Sequence, residues 1–157
     1  MKNIAYIDWQ NVHLGIKNLG WIVDRNKFLI YLKKKYEIHN AKMFLWYISK
    51  YENFYDKLKW LWYELVFRKV SDGKIVKWNI DSHLVMQSII DYYENQLNKF
   101  FLVSWDWDFD VLVEFFKNKN KLWKLLLPNA KKCSKLLKKC AWWFSQDLTS
   151  VKDYICK

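Results

Sequence analysis

Five residues of this chain have the types and spacing for metal-ion chemistry: Asp8, Asn11, Asp81, Asp106 and Asp108. Asp8 ends the short apolar run Asn3–Ile7, Asp106 and Asp108 follow the apolar run Phe100–Ser104, and Asp81 opens the longest amphipathic stretch. Carboxylates brought together from three such segments repel one another unless a proton or a cation neutralises them, and hard divalent ions prefer oxygen donors. Mg²⁺ or Mn²⁺ is the expected resident. Such an ion activates water and offsets charge that develops on a phosphodiester during in-line attack. Taken singly, Asp81 and Asp108 also read as helix caps and Asp8 as a solvated turn residue. Their common position at element ends, with Asn11 close by, favours one acidic site. The three histidines, His13, His39 and His83, form no helical His pair, and no Ser/His/Asp or Cys/His nucleophile pattern occurs.

The elements that must position these residues alternate. Asn3–Ile7 reads as a strand, followed by a helix to about Leu19 that Gly20 closes. Asp24 caps a helix through Tyr36 with Phe28, Leu29, Leu32 and Tyr36 on one face, and Lys42–Ile48 reads as the second strand. A helix at Glu52–Trp60 leads to a strand at Tyr63–Arg68 and a turn at Ser71-Asp72-Gly73-Lys74. Val85, Ile89, Tyr92 and Gln96 recur at helical spacing over Asp81–Leu97; then come strand Phe100–Ser104, helix Asp108–Lys117 and strand Leu122–Leu127, which Pro128 stops. From Lys131 onward the chain reads as helical. Strands separated by helices imply an α/β fold with a mainly parallel sheet covered on both faces, and ligands in such sheets bind beyond the strand C-termini. Asp8 and the Asp106-Trp107-Asp108 segment converge there if strands one and four are neighbours.

Length and composition set the frame. The 157 residues suit one domain, 1–157, and a hydrophobic fraction of 52% argues against disorder. The chain start has neither a signal core nor a cleavage site, and no apolar run is long enough for a membrane span, so a soluble cytoplasmic protein is expected. Cys133, Cys140 and Cys156 lack Cys-x-x-Cys spacing, which leaves them as reduced thiols. A net charge of +11 marks polyanions as partners. Between Phe115 and Gln146 nine lysines, among them Lys117, Lys119, Lys131, Lys132 and Lys135, stand without one Asp or Glu, a surface that would attract RNA backbone in a salt-dependent way. Anionic membrane is the weaker alternative, because the basic residues accompany a complete α/β pattern.

The acidic segments carry an anomaly. The chain holds 11 Trp and 3 Gly, whereas average usage predicts roughly 11 glycines in this length. In Ile7-Asp8-Trp9-Gln10-Asn11 and Val103-Ser104-Trp105-Asp106-Trp107-Asp108-Phe109, glycine in place of the indoles would make phosphate-handling, metal-binding turns.

At these segments the chain resembles the NYN domains, a branch of the PIN-like metal-dependent ribonucleases, in the bacterial group with single-domain members. Tyr6-Ile7-Asp8-Trp9-Gln10-Asn11 stands where the family has Asp-Gly-x-Asn, Lys77-Trp78-Asn79-Ile80-Asp81 where it has Lys-Gly-x-x-Asp, and Ser104-Trp105-Asp106-Trp107-Asp108-Phe109 where it has Ser-Gly-Asp-x-Asp-Phe. Tyr63-Glu64-Leu65-Val66-Phe67 and Leu126-Leu127-Pro128-Asn129 extend it over nearly the whole chain. The resemblance implies a three-layer α/β/α sandwich with a five-stranded sheet in the order 3-2-1-4-5. It further implies RNA cleavage by metal-activated water, with Asp8, Asp81, Asp106 and Asp108 holding Mg²⁺ or Mn²⁺ directly or through water. Asn11 would orient Asp8 or the scissile phosphate, and Ser104 would hydrogen-bond a carboxylate or meet the RNA. Trp9, Trp78 and Trp105 occupy family glycine positions and Trp107 one that is often glycine, while Trp46, Trp62 and Trp123 fall where glycine reads naturally; Trp21 reads as a genuine Trp. UGA codons that the organism reads as glycine would produce this pattern. The expected function is a metal-dependent endoribonuclease acting on single-stranded RNA; the alternative is a non-catalytic RNA-binding or regulatory module on the same fold, with assembly into a homodimer left open.

Overall fold

The computed structural model describes residues 1–68, 80–131, 133, 135, 139 and 142–157. The expected turn at 71–74, the Lys77-Trp78-Asn79 part of the second motif, and Lys132 lie outside them. Strands β1 (Lys2–Asp8), β2 (Asn40–Trp46), β3 (Tyr63–Arg68), β4 (Leu97–Val103), β5 (Leu122–Leu127) and β6 (Ser145–Asp147) form one sheet in the order β3-β2-β1-β4-β5-β6. Every neighbouring pair is parallel, with Asp8 opposite Phe44 and Ile7 opposite Val103. Parallel strands all end at one edge, so the acidic segments after β1 and β4 emerge side by side.

Between the strands run α1 (Trp9–Lys17), α2 (Arg25–Tyr36), α3 (Glu52–Trp60), α4 (Ile80–Tyr93) and α5 (Asp110–Asn118). Ala5, Ile7, Met43, Phe101 and Val103 point to one face of the sheet and pack with Val12 and Ile16 of α1, Phe28 and Leu32 of α2 and Leu58 of α3. Ile4, Tyr6, Phe44, Phe100 and Leu102 point to the other and pack with Leu84 of α4 and Val113 and Phe116 of α5. These side chains alternate along each strand, and both sets are apolar because helices cover both faces. The result is the expected three-layer α/β/α sandwich.

The structure corrects three details. The segment after Lys131 does not continue as helix to the end: Ser145–Asp147 adds a sixth strand beside β5, and a 3-10 turn, Leu148–Val151, and a helical turn, Lys152–Ile155, follow it. Three residues are too few to show a period of two, so only pairing with Leu125–Leu127 defines this strand. The helix expected to reach Leu97 ends at Tyr93, because Asn95 adopts φ 57° and turns the chain into β4, where Leu97 is buried. The second strand starts at Asn40 and ends at Trp46 instead of Ile48.

One polar cluster lies inside the α4 face. Lys42 and Asp91 form an ion pair at 2.9 Å with side chains 5% and 1% exposed, and Tyr6 donates its hydroxyl to Asp91 at 2.6 Å. Gln87 also donates to Asp91. The pair joins the middle of the sheet to α4, the helix that carries Asp81.

Candidate metal centre

Asp8 is both the last residue of β1 and the N-cap of α1, with a φ/ψ of −76°/92° that turns the chain from strand to helix. Its Oδ1 accepts the Asn11 backbone N–H at 3.2 Å, and its Oδ2 accepts the Asn11 side-chain amide and, at 3.5 Å, the Ser104 hydroxyl. Ser104, fully buried at the end of β4, also accepts the Asp106 backbone N–H at 3.1 Å. Asp106 in turn caps the single turn Trp107–Phe109 by accepting the Asp108 N–H at 3.2 Å. A chain of short polar contacts thus runs from Asn11 through Asp8 and Ser104 to Asp106 and Asp108, tying the β1 end to the β4 end.

Asp81 joins this edge from the first turn of α4. Asp81, Asp106 and Asp108 each offer a carboxylate oxygen lying within 4.8 Å of the others. That spacing is on the scale of one hard cation's coordination shell. Asp8 is not in this group. It is 1% exposed, and its oxygens are turned to Asn11 and Ser104, as its role as a cap requires. Of the four expected ligands, the structure therefore gathers three at the surface and sets the fourth beneath them.

The electrostatics show what the cluster lacks. Burial, then the like charges of Asp8, Asp106 and Asp108, push the Asp81 carboxyl up to about 6. Burial also raises Asp8, aided by Asp106 and opposed by hydrogen bonds from Asn11 and Ser104. Among the described residues no lysine or arginine counters either effect. An all-carboxylate donor set with unrelieved repulsion fits a divalent cation bound through oxygen.

A family model for the NYN domain matches residues 3–145. This chain belongs to the NYN domain family. NYN domains are generally nuclease-like and placed in the PIN-like superfamily, and members of these groups commonly use divalent metals. Among curated protein sequences none matches significantly. In shape the chain is similar to the crystal structure of a protein of unknown function from Vibrio parahaemolyticus, with a TM-score of 0.73 and 23% identity over 99% of this chain and 96% of that one. That likeness speaks for the fold alone.

Within the NYN frame, Asn11 and Ser104 sit against Asp8, while Lys117, Lys119, Lys131 and Lys135 are exposed. The described lysines of this stretch lie on α5, on β5 and in the segments that follow each. The family glycine positions carry indoles of differing fit. Trp107 is 57% exposed beside Asp108. Trp105 is half-buried and lies over α1 so closely that a Cβ on Gly15 would fall 2.4 Å from its Cζ3. Trp21 is buried in the core, as a native Trp would be.

Sequence reasoning missed Arg25. This first residue of α2 lies with its guanidinium 5.9 Å from the Trp9 ring and 4.9 Å from the Phe54 ring, at the same sheet edge as Asp8. No local pattern signals it, since the contacts come from α1 and α3.

Proposed function

We propose that this NYN domain is a metal-dependent endoribonuclease that hydrolyses phosphodiester bonds of single-stranded RNA. The observation that carries the reading is the approach of Asp81, Asp106 and Asp108 within 4.8 Å, with no basic group among the described residues to relieve them. These three residues would hold Mg²⁺ or Mn²⁺, which when bound supplies water activation and neutralises charge on the phosphate. Asp8, with Asn11 and Ser104 locked around it, orients the Asp106 loop and adds negative charge beneath the site. Asn11, half-buried, has its amide fixed on Asp8 and acts as a positioning residue. The net charge of +11 supports a polyanionic substrate, drawn to a basic surface around an acidic centre.

The test is cleavage of a fluorescent oligoribonucleotide with Mn²⁺ or Mg²⁺. Asp106→Asn should reduce cleavage to background, while Asn11→Ala, which frees Asp8 without removing a ligand, should cost about 10–100-fold. Undiminished cleavage by Asp106→Asn overturns the assignment. The indoles of Trp105 and Trp107 on either side of Asp106 favour a second reading, RNA binding without hydrolysis. A chain carrying Trp9→Gly, Trp105→Gly and Trp107→Gly separates the two: if it also fails to cleave in either metal while RNA binding persists in EDTA, the non-catalytic reading holds.

A further inference from the structure

The outer face of α2 has no place in the acidic site. Its inner residues Phe28, Leu29, Leu32 and Tyr36 are buried, and the rest of the helix contains Arg25, Lys27, Lys33, Lys34 and Lys35 with no Asp or Glu. Two shallow grooves flank it. One, of about 540 Å³, is lined by Lys27, Ile30, Tyr31 and Lys34 and by Tyr154 of the terminal turn. The other, of about 730 Å³, is lined by Ile30, Lys33, Lys59 and Trp60. Among the described residues none of Lys27, Lys33, Lys34 and Lys35 forms an ion pair. Lys35 lies over the Tyr31 and Tyr36 rings instead. Lysines in the last turn favour the helix macrodipole, and Lys27 donates to the Cys156 carbonyl at 3.1 Å, but neither contact supplies an anionic partner or accounts for the aromatic groove walls.

We infer that this face of α2 is a contact surface for single-stranded nucleic acid, distinct from the acidic centre and leading to it. Ammonium groups without an anionic partner among the described residues, set beside aromatic groove walls, suit a chain of phosphates and bases. A second copy of this chain fits poorly, because a two-fold contact would set the same lysines against each other. The helix of 12 residues spans about 18 Å and points its Arg25 end at Trp9, the neighbour of Asp8. A strand lying along Lys34, Lys33 and Lys27 therefore arrives at the carboxylates from the α2 side. That the strand is RNA rests on the ribonuclease reading; the surface itself does not.

Binding of a fluorescent oligouridylate in EDTA, across a salt series, tests this surface apart from cleavage. Lys33→Gln/Lys34→Gln should bind several-fold more weakly, with the slope of log K against log salt shallower by about 1.4, the loss for two phosphate contacts on a single strand. Lys2→Gln/Lys17→Gln, an equal charge change on exposed lysines elsewhere, should bind as wild type. Equal losses in the two pairs, or wild-type binding by the α2 pair, overturn the proposal. So does wild-type protein that binds phosphatidylserine vesicles but not the oligonucleotide. If the α2 pair loses binding while wild type cleaves in no divalent ion, the ribonuclease reading falls and the surface stands.

Discussion

Asp81 is the residue on which repulsion in the centre concentrates, and its titration gives the centre a measurable signature. Its carboxyl is pushed up to about 6 in the fold, above the usual carboxylate range, chiefly by burial and then by Asp8, Asp106 and Asp108. The folded metal-free protein thus holds a proton more tightly than the unfolded chain. The stabilisation is complete below the unfolded value, near 4, and is lost as pH rises through about 6. In EDTA the urea midpoint should fall between pH 4 and 7, and Asp81→Asn should flatten that fall. An unchanged profile in Asp81→Asn would mean that Asp81 does not carry the effect. These carboxylates were legible in the sequence because each ends a strand or opens a helix, where turn position alone places it at the sheet edge. That Asp8 lies beneath the other three was not legible, since only the Asn11 and Ser104 contacts decide which way its oxygens turn.

At the level of the elements, the helices end in a common way. Left-handed residues stand just after or at the close of each: Gly20 after α1, Glu37 at the end of α2, Trp62 after α3, Asn95 after α4 and Asn120 after α5. Glycine and asparagine are the usual residues there, because they tolerate positive φ. Trp62 is the misfit. It adopts φ 71°, donates its N–H to the Lys59 carbonyl at 2.8 Å and leaves its indole 81% exposed. The indole contributes little burial and its backbone is strained, so Trp62→Gly should stabilise the domain by about 1 kcal/mol. For this chain length that raises Tm by about 2–4 °C in a thermal scan, whereas a drop in Tm would show that the indole packs usefully. The conformation supplies a reason for the expectation that glycine belongs at position 62, and UGA codons at positions 9, 62 and 105 of the gene would account for all three. Gly20 was legible as a helix stop because of its type. The end of α4 was not: apolar Leu97 prolongs the helical pattern although Asn95 has already turned the chain.

Across the described residues, the layers are joined by apolar packing on both sheet faces and by a charged cluster inside the α4 face. Lys42 of β2 reaches Asp91 of α4 at 2.9 Å and Glu64 of β3 at 3.4 Å, while Tyr6 of β1 donates to Asp91 at 2.6 Å. Three neighbouring strands and the Asp81 helix meet in this cluster. It was invisible in the sequence, where Lys42 reads as an ordinary strand residue and Asp91 as a polar position on a helix; only the parallel register of Tyr6, Lys42 and Glu64 brings the groups together. Burial makes the cluster sensitive to removal of one partner. Lys42→Met leaves a buried carboxylate without its cation and should cost about 3–5 kcal/mol, read as a shift of the urea midpoint. Lys42→Met/Asp91→Leu removes both charges and should recover much of that loss, because apolar side chains of similar size can replace a buried pair at little cost. Tyr6 sets the limit on recovery: its buried hydroxyl loses its acceptor in the double variant. A triple variant that adds Tyr6→Phe should therefore be the most stable of the three. If all three unfold at the wild-type midpoint, the cluster does not hold α4 to the sheet, and the position of Asp81 must rest on the apolar contacts of α4, led by Ile80 and Leu84.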